Sequence, residues 1–400
     1  MMLTERHRIR PSHPQFKLLW NCCKLAKNLY NHANYIIRQR FINDNYWVRY
    51  GELDKLLKVD VTYPDYKNMP TAQSAQQLLR GLDKNWKSFF AAIKDWKQHP
   101  DKYSGRPKLP KYKKSVHVLV LTSQECKLKQ QRVTFPKIFQ GFTIRPKFVE
   151  CKKFCMVRVV PYNHEITVEL VYEVEDAIVQ PNNQRYIGID MGINNLIAYS
   201  SNVIVPETIN GRPVKSMNQY YNKKLAQLKS QLPMGVYSSK RIQYFTSKRN
   251  RKIDDYLHKA SKYIINICKH HQITTIIIGK NDGWKQGVKL GKRTNQNFVG
   301  IPFNRLIQMI QYKADRVGVT VVLTEESYTS GTSHLDNELP IKENYNRNRR
   351  VKRGLFRSNQ GLLINADTNA AYQMIRKVIP NGLNQWDRGC GVHPAIVTLQ

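Results

Sequence analysis

Tyr186 to Ser200 (YIGIDMGINNLIAYS) constrains the fold more than any other stretch. Ile187 and Ile189 flank Asp190 at the end of a run too hydrophobic for a surface loop, which predicts a buried strand with a carboxylate at its tip. Gly188 and Gly192 leave the backbone bare on either side, open to close approach by a ligand or a metal. A second strand, Asn195 to Ser200, follows at once. The stretch therefore reads as a hairpin that presents one acid.

Downstream, strand and helix alternate. A third short strand is expected near Val203, then a basic helix over Asn218 to Leu232, then a longer helix with an apolar stripe through Ile253, Leu257, Ala260 and Ile264. Ile273 to Gly279 (ITTIIIG) and Val319 to Leu323 (VTVVL) read as buried strands. Between them a helix starts at Phe303 and stops at Gly318, and a last helix runs from near Asp367 to Pro380. Three strands, helix, strand, helix, strand, helix is the order of an RNase H-like fold. There the first and fourth strands are central neighbours and the last helix packs over their ends, bringing Asp190 and Asp367 (INADTNAA) together across 177 residues of chain. Two carboxylates held close repel unless a cation bridges them, so the pair implies a hard divalent metal, Mg²⁺ or Mn²⁺ as its substitute. A two-metal site of this kind activates water against a phosphodiester. Two plainer readings stand beside it: Asp367 as an ordinary helix cap, and the GxDxG as the opening of an actin-like ATPase or sugar kinase. The latter folds call for a second glycine-rich phosphate loop, which this chain lacks.

The first half has another texture. A basic strand over Glu5 to Arg10 precedes two long amphipathic helices, Phe16 to Phe41 and Thr71 to Gln98. Ser104 to Lys114 (SGRPKLPKYKK) ends helical character, and short alternating runs between His117 and Val174 follow, the pattern of a small antiparallel β-barrel into which the helices are inserted. The expected class is thus multi-domain α/β. Its parts are a barrel (1–10 and 105–182), a helical insertion (11–104), an RNase H-like nuclease domain (183–330 and 362–380), a basic insertion (331–361) and a C-terminal tail (381–400). With 65 Lys and Arg against 29 Asp and Glu, the net charge is +36, which calls for a polyanionic partner. Lys-flanked tryptophans such as Trp86 and Trp96 serve either base stacking or helix packing. No apolar run reaches the roughly 20 residues of a membrane span, and the N-terminus lacks a signal-peptide core. Seven irregularly spaced cysteines read as reduced thiols of a cytosolic, nucleoid-associated protein.

GRPKLPKY (105–112), GIDMGINN (188–195), the YTS at 328–330 and NADTNAA (365–371) resemble the TnpB family of insertion-sequence elements, RNA-guided endonucleases with a RuvC domain. The blocks IIIGKNDGWKQ, NQNFVGIPF and TEESYTS resemble one branch of that family. The resemblance spans nearly the whole chain. It implies a guide RNA from the transposon end, a double-stranded DNA target opened beside a short motif, and RuvC cleavage with Mg²⁺.

Two departures from the family pattern bear on the site. Where the family places a middle catalytic glutamate, this chain has Gly279, whereas Glu325 and Glu326 end the neighbouring strand, about one 5 Å strand spacing away. The expected catalytic and metal-binding set is therefore Asp190, Asp367 and either Glu325 or Glu326. Second, the two CxxC pairs of a zinc ribbon fall here on Ser333 and Asp336 and on Arg357 and Gln360, so no structural zinc is expected. That segment is basic instead and reads as a nucleic-acid-clasping loop, with Arg349, Arg350, Lys352 and Arg353 as contacts. Trp284 and Lys285 begin a second such loop. The missing glutamate leaves a rival reading, a nuclease-inactive RNA-guided DNA-binding protein. A strand transferase with a nucleophilic tyrosine would want an HxH motif, and none occurs.

Overall fold

A computed structural model describes all residues except 149, 282, 284–290, 384–392 and 400. The chain divides into two units, Met1–Glu175 and Asp176–Gln400.

In the first unit β1 (Met2–Ile9) leads into helices α1 (Phe16–Asp44), α2 (Tyr50–Val59) and α3 (Ala72–Gln98). Six strands follow: β2 (Leu119–Thr122), β3 (Lys127–Lys129), β4 (Arg132–Thr134), β5 (Thr143–Ile144), β6 (Lys153–Tyr162) and β7 (Glu165–Glu173). They form a four-stranded antiparallel sheet in the order β1-β7-β6-β2 and a three-stranded one in the order β3-β4-β5. The strand that opens the chain thus pairs along its whole length with the last strand of the unit, Met2 opposite Glu173 and Ile9 opposite Ile166, and the helices interrupt the sheet between them. Helix α2 escaped the sequence reading because its ten residues bury only Leu53, Asp54 and Leu57. Asp54 is tolerated there because Tyr66 donates to it at 2.8 Å and Lys58 pairs with it at 2.6 Å. Trp86 is fully buried and its indole N–H donates to Asn34 Oδ1 at 3.0 Å, so this Lys-flanked tryptophan serves helix packing.

The second unit runs β8 (Tyr186–Asp190), β9 (Asn195–Ser201), β10 (Glu207–Asn210), α4 (Arg212–Ser230), α5 (Lys240–His270), β11 (Thr275–Gly279), α6 (Lys292–Val299), α7 (Phe303–Asp315) and β12 (Thr320–Thr324). After these come β13 (Arg350–Lys352), β14 (Leu355–Arg357), β15 (Leu363–Asn365), α8 (Ala366–Val378) and β16 (Ala395–Val397). The main sheet has the order β12-β11-β8-β9-β10-β16. Strand β8 pairs antiparallel with β9 and parallel with β11, and β11 pairs parallel with β12, which is the mixed RNase H-like sheet that the element order predicts.

Within the main sheet the details differ in three places. The third strand lies at 207–210, not near Val203, because Ser201 Oγ accepts from Val203 N at 3.2 Å and holds that segment in a turn. β12, read as buried, is an edge strand with Leu323 40% exposed, whereas β11 beside it is wholly buried. And residues 395–397, expected within a tail, add a sixth strand parallel to β10.

Helix α8 lies across the sheet at Gly188. A Cβ there would stand 2.1 Å from the Ala371 carbonyl oxygen, so this glycine admits a helix, where the sequence suggested a ligand or metal. The 331–361 segment, expected as a loop, contains β13 and β14, which join β15 in a small antiparallel sheet.

Candidate active site

Asp190 ends β8 because the apolar run Tyr186–Ile189 is buried and the chain must turn there toward β9. Asp367 lies in the first turn of α8, whose cap is Asn365: its side chain accepts from the amides of Asp367 (3.0 Å) and Thr368 (3.2 Å). The capping role open to Asp367 in the sequence is thus filled by another residue, and its carboxylate turns into a cleft of about 1060 Å³. Asp190 and Glu326 line the same cleft.

Glu326 is held from both ends by Asn281, which donates its amide to Oε2 at 3.0 Å and accepts from the Glu326 backbone N–H at 2.9 Å. The other carboxylate oxygen, Oε1, is buried with no hydrogen-bond partner among the described residues. Burial pushes the Glu326 carboxyl up to about 7. A Cβ on Gly279 would meet Glu326 Cγ at 2.8 Å and Met374 Cε at 2.6 Å, so the Glu326 side chain occupies the space beside Gly279. Glu325 goes the other way. It is exposed, bound to Ser327 Oγ and to Lys377 Nζ at 3.1 Å, which hold its carboxyl below the usual range, and it does not line the cleft.

The cleft is electrostatically loaded. Burial, then the neighbouring charges of Asp367 and Glu326, hold the Asp190 carboxyl well above the ordinary carboxylate range, and Arg350 opposes them. Asp367 Oδ2 accepts from Asn195 Nδ2 at 2.8 Å, while Arg350 Nη2 stands 4.0 Å from Oδ1. Arg212, Arg347, Lys352 and Arg353 complete a basic rim. Among the described residues no three acidic, histidine or cysteine side chains close to metal-ligand spacing. The donor set nonetheless fits a hard cation: three carboxylates from separate parts of the chain, one with an unsatisfied buried oxygen, and at Asp190 and Glu326 a raised proton affinity that a divalent ion would relieve.

Of the basic residues expected on nucleic acid, Arg350, Lys352 and Arg353 face this cleft. Arg349 is turned inward, only 12% exposed, and forks onto Glu338, with Nη2 at 2.8 Å from Oε1 and a further bond to Asn359 Oδ1 at 2.6 Å. Glu338 also accepts from Ser333 N (2.8 Å) and Asn359 Nδ2 (3.0 Å), and Asp336 accepts from Asn359 N (2.8 Å). Hydrogen bonds therefore join the two loops where the resemblance would place cysteine pairs. Trp284 and Lys285 lie outside the described residues. Sequence gives no signal for Asn195 and Asn281, the amides that position Asp367 and Glu326: one opens β9 after the turn from Asp190 and the other lies two residues past the end of β11.

Residues 169–285 match the family described as a probable transposase (OrfB_IS605), and residues 303–374 match a Cas12f1-like TNB domain. A TnpB-like protein of Methanocaldococcus jannaschii is 26% identical over 160 residues, 38% of this chain and 57% of that protein. The match thus spans little more than half of that relative. Among solved structures, the mini-RNA-guided endonuclease CRISPR-Cas_phi3 superposes with a TM-score of 0.51 at 8% identity, covering 96% of this chain and 93% of the other. A Cas12f1-sgRNA-target DNA complex gives a TM-score of 0.39 at 15% identity over 94% and 98%. The first of these carries the fold likeness. Both sequence matches contain acids of the cleft, Asp190 in the first and Glu326 and Asp367 in the second, so the chain is similar to the probable-transposase family over the segment that carries Asp190 and to a Cas12f1-like TNB domain over the segment that carries the other two.

Proposed function

We propose that this protein is a transposon-associated, RNA-guided DNA endonuclease that cuts phosphodiester bonds at the Asp190–Glu326–Asp367 cleft. The observation that carries the proposal is the arrival of three carboxylates from distant parts of the chain in one basic-rimmed cleft. A guide RNA and a double-stranded target are the partners that the net charge of +36 and the family accommodate. The three carboxylates would hold Mg²⁺, or Mn²⁺ in its place; when bound, such ions lower the pKa of water and stabilise the departing oxygen. Asn195 and Asn281 hold two of the carboxylates in the cleft in advance of substrate. Arg350, Lys352 and Arg353 are placed to take the scissile strand's phosphates, which would otherwise be repelled by the acids. The choice between Glu325 and Glu326 falls on Glu326, whose side chain fills the space beside Gly279.

The test is to purify the protein, sequence the RNA that accompanies it, and offer the complex a plasmid library randomised beside a guide-matched target, with and without Mg²⁺. Cleavage that needs both the RNA and the ion and is abolished by Asp190→Ala supports the proposal. Guide-dependent binding with no cut would assign the chain to the nuclease-inactive class instead.

A further inference from the structure

Between Glu207 and Asp254 the chain carries eleven Lys and Arg and no acid. Helices α4 and α5 fill most of that interval and pack side by side. Each turns a stripe at helical spacing toward the other: Met217, Tyr220 and Tyr221 on α4, and Phe245, Lys248 and Lys252 on α5. These stripes leave between them a recess of about 340 Å³, near the lower end of the range of about 300–1,000 Å³ typical of small-ligand pockets. Its walls are aromatic and its rim cationic. Tyr221 is fixed by Thr246, 2.9 Å from its hydroxyl, and by the Arg249 guanidinium 5.7 Å from its ring centroid. Arg249 is itself locked to Asn218 Oδ1 at 2.8 Å and to the Gly300 carbonyl. Tyr220 is different. It is 65% exposed, and Lys248 and Lys252 beside it pair with no carboxylate among the described residues.

We propose that this recess binds an unpaired nucleotide of single-stranded nucleic acid, its base stacked on Tyr220 against the Phe245 side and its phosphates on Lys248 and Lys252. A prebuilt aromatic wall beside unpaired ammonium groups matches the two things every unpaired nucleotide offers, a π-face and a phosphate. A base stacked within a duplex has no free face to give. The inference rests on reading the chain as one that acts on nucleic acid, but it assigns a contact on α4 and α5 whose residues do not line the carboxylate cleft.

The test uses the full-length protein freed of RNA, in buffer without divalent ions, with fluorescent homopolymeric RNA, homopolymeric DNA and a mixed-sequence DNA duplex. Tyr220→Ala should lower single-strand affinity roughly five- to a hundredfold, the size of one lost base stack. Tyr220→Trp should restore it, and duplex affinity should stay unchanged. Lys248→Gln with Lys252→Gln should reduce the single-strand salt slope by about one to two. Which homopolymer loses more reports whether RNA or DNA is the occupant. Equal binding of wild type and Tyr220→Ala to both single strands overturns the recess alone, as does an equal loss on the duplex. Failure of the wild type to bind any of the three probes overturns both the recess and the proposed function, whereas a cleavage failure leaves this assay untouched.

Discussion

Glu326 is the residue on which the proposed chemistry turns, and its environment yields a signed prediction. Burial raises its carboxyl from about 4.5 to about 7 in the folded chain. Between those values the native state holds the extra proton, so in the metal-free protein stability falls as pH rises from about 4.5 through 7. Glu326→Gln removes that loss. At pH 8 without divalent ions the variant should melt at a higher temperature, by an amount equivalent to at most about 3 kcal/mol, while losing at least about a hundredfold in cleavage rate. Nearly equal melting temperatures at about pH 4 and a gap at pH 8 are the signature; a variant less stable at pH 8 would refute the burial argument. Glu325→Gln, being exposed, should shift stability by no more than about 0.5 kcal/mol and leave cleavage intact. Sequence alone left the two glutamates equivalent, since both follow the end of β12. What separates them is Asn281, 45 positions away, whose two hydrogen bonds turn Glu326 inward. Asp190 and Asp367, by contrast, were legible, because a strand-tip acid and a helix-start acid are local features whose meeting follows from the element order.

At the scale of elements, the segment between β12 and α8 has the basic composition its sequence shows, but it folds into a small sheet where that composition suggests a loop. Its cations looked interchangeable in sequence, yet Arg349 is spent on Glu338 and Asn359 while its neighbour Arg350 faces Asp367. The backbone accounts for the split, since Arg349 ends a 3-10 turn (Arg347–Arg349) and Arg350 opens β13, and the change of conformation at that junction sends the two side chains apart. The polar knot also reaches α8, where Gln373 donates to the Glu338 carbonyl at 3.1 Å and Asn369 to that of Thr332 at 2.8 Å. Arg349→Met strands a half-buried Glu338 carboxylate, a loss on the order of 2–4 kcal/mol by thermal unfolding. Replacing both partners, Arg349→Met with Glu338→Leu, should recover at least half of it, because the stranded charge is then gone. If the pair contributed only as an exposed ion pair, the single variant would cost under about 1 kcal/mol and the double variant would recover nothing.

Across the whole molecule the positive charge is shared. Residues 1–175 carry 32 Lys and Arg against 15 Asp and Glu, and residues 176–400 carry 33 against 14. A charge so distributed does not belong to one loop or tail, and the sequence made this plain before any fold was known. What it did not contain was where the acids gather, since a carboxylate cleft amid such a surplus appears only once the sheet is ordered β10-β9-β8-β11-β12 and α8 is laid across it. Each unit therefore has the composition to neutralise phosphates independently, and the contacts should add. Protein that neutralises six to ten phosphates loses about 10³–10⁵ in affinity between 50 and 200 mM salt. Nonspecific duplex binding by this chain should fall at least that steeply. Lys352→Gln with Arg353→Gln, which strips two rim cations from the cleft, should lower the slope of log K against log salt by no more than about two and leave most of it in place. Titrations of duplex binding across that salt range decide it: a flat dependence in the wild type would deny phosphate neutralisation altogether, and a slope abolished by the rim variant would confine it to the cleft, and either outcome contradicts a surplus that acts across both units.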